Sequence, residues 1–356
     1  MTSTIRVALD ATPLASGQTG SARYTLELSA ALARLGADVR RFAVGRARHR
    51  IPPDVRRVRA PLRFVQWSWN CTSRPKAETI VGGADVFHST DLAIAPSRLP
   101  TVATVHDLVA LEHPGLHSRR AAAQQRARLA GLDRARVVLA VSHATAKALV
   151  DHGVDAGRIT VVPNGVTPLP EPGPAPVHGP YLLAVGEVMA RKGYDVLVRA
   201  FARAQLGPAR LVIAGPAGAS TPELVALARK VGVDDRLVLL GAVGDATLSS
   251  LYAHALALCF PSVAEGFGLP VLEALAAGLP AVVTDIAVLR EVAGEAAVFV
   301  APADEAAWTA ALAEITEDAD LRSRLAAMGP KQAARFSWTD TAAATLGAYR
   351  QALACG

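Results

Sequence analysis

The chain has 356 residues, 51% of them hydrophobic and 19% charged, with a formal net charge of +6. That length and apolar content exclude a disordered chain and suit two globular domains with separate cores. Cys71, Cys259 and Cys355 make no disulfide framework or zinc motif, no apolar run reaches membrane-spanning length, and Met1–Arg6 has no secretory pattern, so a cytoplasmic protein is expected.

In chain order, short β-rich runs alternate with helical periodicity. The first half offers strands at Ile5–Leu9, Val39–Ala43, Val86–His88, Thr101–Val105, Val137–Val141 and Ile159–Val162. Helices are expected at Ser21–Leu35, around Arg119–Leu132 and at His143–His152. The alternation reads as α/β layers around a parallel sheet, because strands buried on both faces give continuous apolar runs such as Val137–Val141. Pro163–Pro176 carries too many prolines for a helix or a sheet ladder and reads as a semi-rigid linker. The alternation then restarts. Strands are expected at Tyr181–Val185, Arg210–Ala214, Leu237–Leu240, Leu256–Phe260, Pro280–Val283 and Ala297–Val300. The matching helices are Gly193–Ala204, Pro222–Val231, Ala246–Ala253, Pro270–Ala277, Asp304–Glu317, Ala319–Ala327 and Asp340–Ala354.

The basic excess is almost all arginine, since Lys76, Lys147, Lys192, Lys230 and Lys331 are the only lysines. One arginine group holds Arg40, Arg41, Arg46, Arg48, Arg50, Arg56, Arg57, Arg59 and Arg63, and a second holds Arg119, Arg120, Arg126 and Arg128. Such clusters suit an anionic lipid, a phosphorylated acceptor or plain solvated surface, and a peripheral membrane contact stays open. No nucleic-acid partner is expected.

The segment Pro261–Pro280 carries the most chemistry. A buried strand leads into a loop with Gly266 and Gly268, then into a helix with an early proline. Glycines let a ligand approach the backbone, and N–H groups at a helix start favour phosphate. Glu265 precedes the loop and Glu273 is expected in the first helical turn. Two carboxylates beside an anion cradle suit sugar hydroxyls flanking a diphosphate. The run Leu183–Gly193 repeats strand, glycine turn and helix, with Gly186 in the turn and the cations Arg191 and Lys192 after it. Fixed cations there would stabilise charge that develops on a leaving phosphate. Gly17 and Gly20 lie between the first strand and first helix, without the G-x-G-x-x-G spacing of dinucleotide oxidoreductases. His106 ends a buried strand and is placed to meet a ligand; His88 is a weaker candidate, more simply a core histidine. Ser142 ends another strand, either as the N-cap of the next helix or as a hydroxyl near phosphate.

The Glu-x7-Glu segment from Glu265 to Glu273 closely resembles the signature of the GT4 family of retaining glycosyltransferases, and the resemblance extends from Ile5 to about Tyr349. It implies an α/β GT-B fold, two doubly wound Rossmann-like domains facing across a cleft. The expected division is residues 1–165, a Pro-rich linker at 166–178, and 179–339, with the last helix, about 340–356, packed back on the first domain. It implies that Glu265 contacts donor-sugar hydroxyls, that backbone at Phe267, Gly268 and Leu269 meets the sugar and diphosphate, and that Glu273 holds the ribose. Arg191 and Lys192 would face the β-phosphate, with the main contact left open between them, because the position after Gly186 is Glu187 where one branch of the family has arginine. Gly17, Gly20, Gly186 and Ser142 would line the donor phosphates, and His106 the acceptor hydroxyl.

The activity implied is hexosyl transfer with retention from a nucleotide-diphosphate sugar (GDP-mannose, or a UDP- or dTDP-sugar) to an alcohol in a glycan, a glycolipid or a natural product. The nucleotide sugar is a co-substrate; no cofactor is expected, and without an Asp-x-Asp motif no metal. The base is expected near Gly241–Gly244 and the acceptor near Pro61–Lys76, with Trp67 and Trp69 as either platforms or anchors. The alternatives are an epimerase or glycan phosphorylase of similar fold, or a non-catalytic sugar-nucleotide binding protein. Intact Glu265, Glu273, Arg191, Lys192 and His106 argue against the last.

Overall fold

The computed structural model describes residues 4–15, 19–45, 51–61, 64–65, 68–69 and 72–354. The chain divides into two compact units, Met1–Gly165 with Phe336–Gly356, and Val166–Arg335.

In the first unit the elements run β1 (Arg6–Asp10), α1 (Gly20–Arg34), β2 (Asp38–Val44), β3 (Arg56–Val58), α2 (Ala77–Val81), β4 (Val86–Ser89), β5 (Thr101–Val105), α3 (Val109–Glu112), α4 (Arg119–Ala130), β6 (Val137–Ala140), α5 (His143–Asp151) and β7 (Ile159–Val161). The described strands form one parallel sheet in the order β3-β2-β1-β4-β5-β6-β7. Register puts Val7 beside Val39 and Val86, and Val102 beside Val137. Alternate side chains then feed two cores: Val7, Leu9, Val102 and Leu139 pack with α1 residues Leu28 and Leu32, while Ala8, Phe42, Phe87 and Ala103 pack on the other face. Burial on both faces explains why β4, β5 and β6 are wholly buried.

The second unit holds β8 (Tyr181–Val185), α6 (Tyr194–Ala204), β9 (Arg210–Ala214), α7 (Thr221–Lys230), β10 (Leu237–Gly241), α8 (Asp245–His254), β11 (Ala257–Phe260), α9 (Leu269–Ala276), β12 (Ala281–Thr284), α10 (Ala287–Ala293), β13 (Val298–Val300), α11 (Glu305–Glu317) and α12 (Ala319–Ala333). Its parallel sheet has the order β10-β9-β8-β11-β12-β13. In both sheets the first strand of the unit is third in the order and the order reverses beside it, the point where doubly wound sheets bind ligands. The proline-rich segment is seated on α8: Ser249 donates to the Pro170 carbonyl at 2.5 Å, and the Gly173 N–H donates to Ser250 Oγ at 2.8 Å.

The last helix, α13 (Trp338–Ala354), belongs to the first unit. Thr341 donates to the Pro163 carbonyl at 2.7 Å, and a Cβ at Gly165 would come within 2.2 Å of the Trp338 nitrogen, so only glycine admits this close approach.

Several elements differ from expectation. β3, α2 and α3 were not foreseen, since each is three to five residues long and carries no full period. α12 does not stop at Ala327 but runs through Pro330. Proline costs a helix one hydrogen bond, yet tight packing holds α12 together: a Cβ at Gly329 would lie 2.7 Å from the Leu275 carbonyl oxygen of α9. α13 starts two residues early, at Trp338. No helix among the described residues is long and apolar enough to cross a membrane.

Candidate active site

The segment after β11 folds against the segment after β8. A Cβ at Gly193 would lie 2.4 Å from the Pro261 carbonyl oxygen, and the Val263 N–H donates to the Arg191 carbonyl at 2.9 Å. Gly193 also has φ +63°, which glycine adopts without strain. These contacts bring residues about 70 positions apart onto one carboxylate oxygen. Glu265 Oε1 accepts from Arg191 Nη1 at 2.7 Å, Lys192 Nζ at 2.6 Å and Ser262 Oγ at 2.6 Å. All three donors reach Oε1; Oε2 has no partner among the described residues.

The electrostatics of the cluster are strong because it is largely dry. The Glu265 side chain is 11% exposed and that of Lys192 8%. Burial by itself would raise the Glu265 carboxyl, but the charges of Lys192 and Arg191 and the bonds from Lys192 and Ser262 outweigh it and hold it at about 2. Burial also lowers the Lys192 ammonium, with Glu265 opposing. Lys192 Nζ sits 4.5 Å from the Phe260 ring centroid. Two cations share the Glu265 carboxylate, and the charge of Glu187 also acts on Lys192.

The glycine loop and helix lie beside it. Gly268 caps α9 with φ +98°, where a Cβ would meet Leu289 at 2.7 Å. Phe267 is buried, and Leu269 is the first residue of α9. Because α9 begins at Leu269, Glu273 lies in the second turn and not in the first as expected. It is 6% exposed, and Oε2 accepts from the Tyr252 hydroxyl at 3.1 Å. Gly186 has φ +140°, and its carbonyl accepts from Tyr194 at 3.2 Å. A Cβ at Gly215 would fall 2.1 Å from that carbonyl oxygen, so the ends of β8 and β9 touch through glycine.

In the first unit, His106 follows β5 and gives its Nε2 proton to the Thr90 carbonyl at 2.9 Å. A carbonyl can only accept, so Nε2 carries a proton, and Nδ1 has no partner among the described residues. Ser142 takes the N-cap position of α5, accepting from the Thr145 N–H at 3.0 Å. Gly20 is the first residue of α1, behind the N-cap Thr19. Gly17 lies outside the described residues, as do Trp67, Arg46, Arg48, Arg50, Arg63, Cys71 and Cys355. His88 is fully buried, bonded on both nitrogens, and pushed by burial down to about 3, a core histidine. Part of the first arginine group is held by surface contacts: Arg40 and Arg41 pair with Asp38 and Asp54, and Arg56 donates to the Ile80 carbonyl. Arg119, Arg120, Arg126 and Arg128 are exposed on α4, which buries no residue.

Ser262, Tyr252, Tyr194, Gly193 and Gly215 were not singled out. Ser262 lies three residues before Glu265, a spacing that suits a hydroxyl bonding back to a loop carboxylate. Tyr252 has no local signal, being 21 residues from Glu273.

Residues 168–332 match the family described as Glycosyl transferases group 1, and residues 18–168 match Glycosyltransferase Family 4. The chain is 31% identical to the D-inositol 3-phosphate glycosyltransferase of Xylanimonas cellulosilytica, over 92% of this chain and 91% of the relative. It is 29% identical to the O-antigen chain mannosyltransferase B of Escherichia coli, over 74% of each. Among solved structures, a sucrose-phosphate synthase from Thermosynechococcus elongatus superposes with a TM-score of 0.81 at 22% identity, covering 99% of this chain and 100% of that one. Anabaena HepE, solved with UDP and glucose, superposes with a TM-score of 0.71 at 18% identity, covering 96% and 99%. With two doubly wound halves, both family matches and a full-length relative, the chain belongs to family 4 of the glycosyltransferases and has the GT-B fold.

Proposed function

We propose that the chain moves a hexosyl group from a nucleotide-diphosphate sugar to an acceptor hydroxyl, with retention at the anomeric carbon. The observation that carries this reading is Glu265, an ionised carboxylate with one oxygen saturated by three donors and the other unpartnered. An ionised carboxylate can only accept, and sugar hydroxyls are the donors that suit it. In the same reading, backbone at Phe267, Gly268 and Leu269 meets the sugar and diphosphate, Glu273 holds the ribose, and the base packs near Gly241–Gly244. Gly20, Gly186 and Ser142 line the phosphates.

As the bond from the anomeric carbon to phosphate oxygen breaks, negative charge collects on the diphosphate. The fixed positive charges of Arg191 and Lys192 stabilise that state more than the ground state and supply compensation for which a metal would otherwise serve. The acceptor oxygen bonds to the anomeric carbon from the face the diphosphate leaves, and its proton passes to the departing phosphate oxygen. His106 orients the acceptor through Nδ1. The exposed arginines of α4 form the surface proposed to meet a phosphorylated or lipid-linked acceptor. Relatives named as inositol-phosphate glycosyltransferases and mannosyltransferases, and a fold neighbour solved with UDP and glucose, support the reaction class.

Thermal unfolding with UDP, GDP, ADP and dTDP tests the donor site. At about 100 times its dissociation constant, the matching diphosphate should add roughly 2.7 kcal/mol. Stabilisation by none of the four contradicts the proposal.

A further inference from the structure

The first unit buries a chain of polar side chains that sugar transfer, as described, does not use. The Tyr349 hydroxyl lies 2.7 Å from His88 Nδ1, His88 Nε2 lies 2.8 Å from Thr104 Oγ1, and the Tyr24 hydroxyl lies 2.8 Å from the same Oγ1. Tyr24 is 1% exposed and the other three are 0% exposed. They come from four elements, α13, β4, β5 and α1, and are up to 325 positions apart in sequence, Tyr349 less Tyr24. With His88 neutral, each ring nitrogen has one fixed role, so the groups must orient as a set and strengthen one another.

The chain ends at His106. The Tyr24 ring stands edge-on to the His106 imidazole, with centroids 4.8 Å apart and planes at 83°. Trp338 of α13 packs against the same tyrosine ring at 5.9 Å. The imidazole is therefore held at two points: Nε2 on the Thr90 carbonyl, and the ring against Tyr24. Thr90 is itself fixed, donating to the Asp10 carbonyl at 2.6 Å and accepting from Thr25 at 3.1 Å. What remains for a ligand is Nδ1.

We infer that Tyr24 is a positioning residue for His106, and that Tyr349, on the last helix, acts on the same imidazole through His88 and Thr104. The anchoring of the tyrosine hydroxyl fixes the plane of its ring, and that plane fixes how the imidazole turns about its bond to Thr90. The docking of the final helix thereby sets the orientation of an acceptor-site group carried on a distant strand. The inference rests on the proposed function only in taking His106 to meet the acceptor; the coupling itself does not require it.

The test compares Tyr349→Phe, Tyr24→Phe and the pair Thr104→Ala and Thr104→Ser with Tyr181→Phe. Tyr181 is a buried tyrosine of the second unit whose hydroxyl donates to the Leu251 carbonyl at 2.8 Å, so it controls for loss of a buried phenol. The first readout is the imidazole nitrogen spectrum of His106 in the full chain, assigned by its loss in His106→Gln. The Nε2–H signal and both nitrogen shifts should move in Tyr349→Phe, Tyr24→Phe and Thr104→Ala, return in Thr104→Ser, and stay put in Tyr181→Phe. The second readout is sugar transfer: kcat should fall about tenfold in the first three variants, with KM for the nucleotide sugar unchanged. If Tyr349→Phe does not fold, the threonine pair carries the same comparison. Unmoved His106 signals in Tyr349→Phe and Thr104→Ala overturn the inference, as does an equal movement in Tyr181→Phe. Moved signals in a protein that transfers no sugar sustain the coupling and sink the proposed function instead.

Discussion

At the scale of single residues, Glu265 is both a ligand candidate and a structural counter-charge. Removing one partner of a buried pair strands the other, which costs about 3–5 kcal/mol in well-buried cases. Glu265→Gln keeps one acceptor oxygen, so the loss should be near the lower end, roughly 3 kcal/mol. Lys192→Met in the same background should then cost less than it does alone, with a coupling of about 1–2 kcal/mol in a double-mutant cycle read by denaturant unfolding. Additive losses would mean that the 2.6 Å pair contributes no net interaction. His88 supplies a second residue-scale prediction. Its folded value, about 3, lies below its ordinary 6.5, so the unfolded chain binds the extra proton first as pH falls. The stability it confers is fully present above 6.5 and is lost as pH falls toward 3. The stability of the wild type relative to His88→Gln should therefore decline through that window by about 1.4 kcal/mol per pH unit. A constant difference would mean that His88 is not buried in its neutral form. Asp10 runs the other way: burial raises it to about 6, so its contribution falls as pH rises from its ordinary 3.8 to about 6. The comparison with His88→Gln at each pH cancels that opposing effect.

At the scale of elements, glycines decide how closely segments approach. Gly193→Ala places a methyl 2.4 Å from a backbone oxygen and at φ +63°, so the Arg191–Lys192 segment must separate from the Pro261 segment. The substitution should destabilise by about 1–3 kcal/mol and weaken diphosphate binding together. Retained binding in calorimetry would show that the two segments need not touch. Much of this scale was legible beforehand. β5 and β11 read clearly because burial on both faces makes every residue apolar, and Glu265, Glu273, Arg191 and Lys192 stood out by type beside glycine turns. β3 was silent because an edge strand of three residues, two of them exposed arginines, carries no buried pattern. The end of α12 is not legible because Gly329-Pro330 argues locally for a stop, while the contact with Leu275 that overrides it is tertiary. For the same reason the convergence of three donors on one oxygen of Glu265, and the bond from Tyr349 to His88 across 261 positions, leave no trace in spacing.

At the scale of the whole molecule, the sequence runs one doubly wound unit, then a second, then returns to the first with α13. The proposed chemistry is divided accordingly: the carboxylate and cation cluster belongs to the second unit and His106 to the first. In the proposed reaction Glu265 serves the donor sugar while the cations serve its diphosphate. Turnover of Glu265→Gln tests this division, using the nucleotide sugar whose diphosphate stabilises the wild type, with calorimetric binding of that diphosphate as proof that the second unit is folded. kcat should fall about 100-fold or more, the loss of roughly 2.7 kcal/mol of transition-state stabilisation, while diphosphate affinity stays within a few-fold of wild type. Sugar transfer at the wild-type rate by a folded Glu265→Gln protein would contradict it.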